Sequence, residues 1–64
     1  DLPAEMARAF QARPALAERW RAHSVARRRQ VVRYVLDAKS PEVQAKRCWI
    51  FLERLAETGR LTAD

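Results

Sequence analysis

SVARRRQVVRYVLDAKSPE, from Ser24 to Glu42, is the stretch that decides the fold. Ser24 reads as a helix N-cap, because its hydroxyl can accept a hydrogen bond from an amide left free at the helix start. The predicted helix runs from there to about Ala38. At about 100° per residue, Val25, Val32, Val35 and Leu36 share one face, with Val31 and Ala38 toward its edge. Gln30, Arg33 and Asp37 lie opposite, and Arg29 marks the boundary. Ser40-Pro41-Glu42 then punctuates the chain. Ser40 is a second N-cap, Pro41 stands where a missing amide hydrogen is harmless, and Glu42 meets the positive end of the next helix.

Downstream, the predicted helix from Pro41 continues to about Glu57. Gly59 is its stop, since a residue without a β-carbon enters the left-handed region easily, and Leu61 can fold back on the last turn. The inward face collects Ala45, Cys48, Leu52, Leu55 and Ala56, flanked by Trp49 and Phe51. Upstream, Pro3 reads as the first residue of a short helix that puts Met6, Ala9 and Phe10 on one side and stops near Ala12. Pro14 opens another, with Leu16, Ala17 and Trp20 together, ending around Ala22-His23. No alternating stretch suggests a strand. The expectation is an all-α fold, a compact bundle of two short helices followed by two longer ones that are antiparallel or crossed.

The chain has 64 residues, which allows one domain with a thin core. Hydrophobic residues make up 48% and there is one glycine, a composition too apolar and too poor in breakers for a disordered tract. Residues 1–64 therefore read as a single small helical domain. A start at Asp1 without methionine suggests a piece of a longer protein. One cysteine, Cys48, forms no internal disulfide, and no Cys/His spacing offers a structural metal. No cofactor is expected. The apolar run Cys48–Leu52 is far shorter than the roughly 20 residues of a membrane span, and no signal segment opens the chain. A cytoplasmic location is the expectation.

Formal net charge is +5, largely from arginine, and a field of that sign concentrates anions without specifying which. The adjacent Arg27, Arg28 and Arg29 splay around their helix. Arg28 falls inside the apolar arc, where its stem can line the core margin while the guanidinium reaches water or a carboxylate such as Glu18 or Glu53. Arg27, Arg29 and Arg33, with Lys46 and Arg47, are the candidate contacts for an anion or nucleic acid. A helix-turn-helix reading would aim Gln44, Lys46 and Arg47 at DNA. Its connection has no glycine and Glu42 would face phosphate, so an antiparallel hairpin explains the same residues without a ligand.

Val43 and Ile50, one heptad apart, share a side of the last helix with Arg47 and Arg54, outside its inward face. With Trp49 and Phe51 they form a candidate interface for a protein partner, a neighbouring domain or a second copy. Catalysis is not expected. His23 and Cys48 have no orienting third group, and HExxH, CxxC and glycine-rich phosphate loops are all missing. The leading function is thus a noncatalytic interaction or regulatory module, with nucleic-acid binding as the alternative.

The order of these signals resembles the YdeI/OmpD-associated, or bacteriocin-protection, family. The resemblance rests on Leu2-Pro3 with Met6 and Phe10, the Pro14–Trp20 segment, Ser24 with Arg28-Arg29, VVRYVLDAKSPE, and Ala45-Lys46-Arg47 leading to Leu52, Leu55 and Gly59. It departs at Gln30, Val31 and Val43-Gln44, where the family usually shows glutamate, tyrosine and threonine-arginine. The resemblance implies a C-terminal helical domain of bacterial proteins linked to envelope stress or antimicrobial resistance, and it implies no reaction.

Overall fold

A computed structural model describes residues 2–63. Four helices follow one another: α1 (Ala4–Ala12), α2 (Pro14–Arg21), α3 (Val25–Leu36) and α4 (Pro41–Thr58). No strand occurs among the described residues, so the all-α four-helix expectation holds.

The boundaries follow from local chemistry. Ser24 Oγ accepts from the Arg27 amide at 3.1 Å and Ser40 Oγ from the Val43 amide at 3.2 Å, both in extended N-cap conformations. Gly59 ends α4 with φ 76°, and its amide reaches the carbonyls of Arg54 and Leu55. Two boundaries differ from the sequence reading. Pro3 is the N-cap of α1 instead of its first helical residue, and its carbonyl accepts from the Ala7 amide at 3.0 Å. The third helix stops at Leu36, two residues before Ala38. Ser40 must be extended both to cap α4 and to precede a proline, so the connection needs Asp37 to Lys39 for its turn.

The core gathers Met6 and Phe10 from α1, Leu16 and Trp20 from α2, Val31 and Val35 from α3, Cys48, Phe51 and Leu55 from α4, and Leu61. α4 packs against each of the other three helices, α1 also packs on α2, and α3 rests mainly on α4. Leu61 is buried as expected of a residue folding back on α4. Arg54 fixes that return by donating from Nη1 to the Leu61 carbonyl at 2.9 Å.

The C-terminal end of α4 is held from α2. Arg19 Nη1 donates to the carbonyls of Leu55 and Ala56 at 2.6 and 2.8 Å, and His23 Nε2 lies 2.8 Å from the Gly59 carbonyl oxygen. Carbonyls in a helix's last turn lack the full set of intrahelical partners, and although that of Leu55 also takes the Gly59 amide, a cation there meets the negative end of the helix dipole. Arg19→Ala is therefore expected to lower unfolding free energy by about 1–2 kcal/mol, discounted for its exposure. Arg19→Lys should recover only part of this, because an ammonium lacks the planar guanidinium geometry. Urea denaturation followed by circular dichroism checks both.

The sequence reading assigned Val25, Val32, Val35 and Leu36 to one buried face. The structure corrects this. Val35 is fully buried and Val31, placed at the edge of that face, is a central core residue, whereas Val25 and Leu36 remain 55% and 51% exposed. Val32 is half-buried. α3 has one main neighbour, and one neighbour covers only part of an apolar arc this wide. The uncovered part faces elsewhere.

Candidate functional site

That uncovered part forms one wall of an open groove of about 900 Å³. Val25, Val32 and Leu36 line it from α3. Phe10, Ala17 and Trp20 line it from α1 and α2, with Leu2 beside them. The Phe10 and Trp20 rings stack obliquely at 5.7 Å between centroids and are almost wholly buried, at 9% and 5% exposure. Concavity with apolar walls and a few polar groups is the ordinary character of a binding site.

The groove is also cationic. Arg21 lies on the α2 side, and Arg28, Arg29 and Arg33 on the α3 side, against one carboxylate among the described residues, Asp37. No side chain of these four arginines has a hydrogen bond, ion pair or ring contact among the described residues. Arg28 Nε is buried with no hydrogen-bond partner, so the stem lies at the core margin but the ion pair to Glu18 or Glu53 is not formed. Three arginines elsewhere are engaged in the fold, Arg19 as described above and two on α4. Arg47 stacks its guanidinium 4.1 Å from the Tyr34 ring centroid and donates to the Tyr34 carbonyl at 2.7 Å, and Arg54 lies 5.6 Å from the Phe51 ring centroid.

The candidate anion contacts are consequently divided. Arg29 and Arg33 lie one turn apart on the groove rim. Arg27 is about 120–160° around α3 from them and lines a smaller recess beside Tyr34 and Phe51. Arg47 is committed to Tyr34, and Lys46 is exposed on α4.

The candidate α4 interface is divided too. Phe51 is a core residue in edge contact with Tyr34 at 5.9 Å, and Arg47 and Arg54 serve internal contacts. Val43 is 41% exposed and Ile50 half-buried on one side, while Trp49, 61% exposed, projects about 100° away from Ile50. They form no continuous apolar surface, because Lys46, Glu53 and Glu57 lie between them on the helical wheel. The groove is the larger surface. Its signal in the sequence was the apolar arc of α3, which is broader than one packing partner can bury.

Cys48 is in the core, where burial pushes its thiol above the ordinary value, Glu5 adds to the rise, and a hydrogen bond with the Met6 main chain partly opposes it. No group of three or more His, Cys, Asp or Glu placed to hold a metal occurs among the described residues. No helix described is long and apolar enough to cross a membrane.

These features define a small four-helix domain with an apolar, arginine-rimmed groove between its first two helices and its third. The model of the family described as "Bacteriocin-protection, YdeI or OmpD-Associated" matches residues 1–58, from the start of the chain through the end of α4, and the chain belongs to that family. No curated protein and no solved structure matches it.

Proposed function

We propose that this chain is a noncatalytic helical interaction module that engages another protein through the groove between α1, α2 and α3. The observation carrying this reading is the exposure of Val25 and Leu36, about half of each, on the wall facing the Phe10–Trp20 pair. Scattered apolar residues on a surface need no explanation, whereas a concave apolar strip does. The reading moves the contact surface from the α4 stripe, whose members are divided, to the groove. The family description, which names bacteriocin protection, supports a role for the module in resistance to antimicrobial proteins.

The nucleic-acid alternative draws support from Arg29 and Arg33. It is weakened by the position of the exposed aromatic rings, because Tyr34 and Trp49 line no part of the groove and offer no base a stacking surface there.

A photo-reactive residue at position 36 tests the proposal in living cells, with position 57 on the exposed side of α4 as control. The expected result is a discrete protein adduct from position 36, identified by mass spectrometry and absent from position 57. Adducts to nucleic acid, or equal labelling from both positions, count against it.

A further inference from the structure

The groove's rim narrows the class of partner. Among the described residues the lining is otherwise apolar, four arginines stand against one aspartate, and none of the four side chains makes a hydrogen bond, ion pair or ring contact. The folded chain commits the side chains of Arg19, Arg47 and Arg54 to main-chain carbonyls, while Arg21, Arg28, Arg29 and Arg33, uncommitted among the described residues like Arg8, Arg13, Arg27 and Arg60, are set apart by converging on one concavity. Guanidinium groups gathered around one concavity repel each other and raise a positive potential between low-dielectric walls. An occupant carrying carboxylates relieves that repulsion and pairs with the exposed guanidinium donors of Arg21, Arg29 and Arg33.

The occupant must also be apolar along its middle. Val25, Val32 and Leu36 present a strip along α3, facing Phe10 and Trp20. A helix laid in such a groove uses apolar residues at i, i+3 or i+4, and i+7, while its flanks face the two rims. Arg29 and Arg33 are spaced i, i+4 on one rim and Arg21 stands on the other, so carboxylates one turn apart on the occupant can meet them. We infer that the groove receives an acidic amphipathic helix from a partner protein, its leucine-type anchors between α2 and α3 and its carboxylates on Arg21, Arg29 and Arg33. This deepens the interaction-module reading and rests on it. A second copy of the chain is the poorer occupant, because two bodies of formal charge +5 repel each other.

The test titrates the isotopically labelled chain with designed helical peptides of about 16 residues, long enough to form several turns. One carries leucines at i, i+3, i+4 and i+7 with glutamates on the flanks. Its counterpart replaces glutamate by lysine, and a third scrambles the acidic sequence. The variants are Arg29→Glu with Arg33→Glu, and Leu36→Asp, all at exposed positions whose folding is verified by circular dichroism. Support consists of amide shifts along α3 with the acidic peptide, at least about tenfold weaker binding to either variant, and weakening by salt.

Several results overturn the inference, and they separate it from the reading beneath it. Equal binding of the lysine peptide at a Leu36-dependent site removes the acidic class but leaves an interaction groove. A solution mass of two copies, abolished by Leu36→Asp, makes the occupant the chain itself and also leaves the groove as an interface. Binding of duplex DNA that needs Arg29 and Arg33 but ignores Leu36→Asp overturns both in favour of nucleic acid. Failure of every peptide, with a monomeric mass, overturns both as well.

Discussion

Leu55→Ala is expected to leave the chain largely unfolded at temperatures where the parent is stable. Leu55 is fully buried in the cluster where α4 meets the other helices, and its carbonyl also receives the Arg19 guanidinium and the Gly59 amide. Truncating an enclosed leucine costs about 2–5 kcal/mol, from lost transfer energy plus the cavity left behind. A 64-residue domain has little to set against that, since stability runs to roughly 0.05–0.15 kcal/mol per residue, or about 3–10 kcal/mol in all. With each kcal/mol worth about 4–8 °C in a domain of this size, a loss of 3 kcal/mol lowers Tm by about 12–24 °C. Thermal melts by circular dichroism measure this. An Ala variant melting within a few degrees of the parent would show that α4 is not the element holding the core.

Trp20→Ala is the second large effect, with a different physical composition. The ring is 5% exposed, packs obliquely on Phe10 and forms part of the groove wall. Removing an indole costs about 3–5 kcal/mol in a core, and here more apolar area is lost than at Leu55. The space vacated opens onto the groove, however, so water can enter and the cavity contribution is smaller. The two variants should thus be comparably destabilised, but for opposite reasons. Trp20→Phe separates the contributions, because it keeps an aromatic partner for Phe10 and should retain most of the stability in urea titrations. A Phe variant as unstable as the Ala variant would assign the effect to the indole alone.

How much of this was legible beforehand depends on whether the signal was local. Ser24, Ser40-Pro41 and Gly59 each act within a few residues of themselves, so the starts of α3 and α4 and the end of α4 could be read directly. Leu61 was readable for the same reason. The core membership of α3 was not. Periodicity defines an apolar arc, but which part of it is covered depends on where the neighbouring helices lie, and that shifted the buried centre from Val32 and Leu36 toward Val31 and Val35. The site followed from that shift. Arg28 was recognisable as an anomaly inside the arc, yet its companions were not, because Arg21 reaches the same groove from a different helix. Arg19 and His23 carried no sequence signal for their task either. Their partners are main-chain oxygens more than thirty residues away, which any residue type supplies.

The element that touches all the others is also the fourth of the four to leave the ribosome. A nascent chain can pair its first two helices while α3 emerges with its principal neighbour still inside the ribosome. Its oily side is then exposed for the time needed to extrude α4, about 18 residues and of the order of seconds at ordinary elongation rates. The arginines on that same helix favour hydration of the waiting segment, and their like charge opposes association between neighbouring nascent chains.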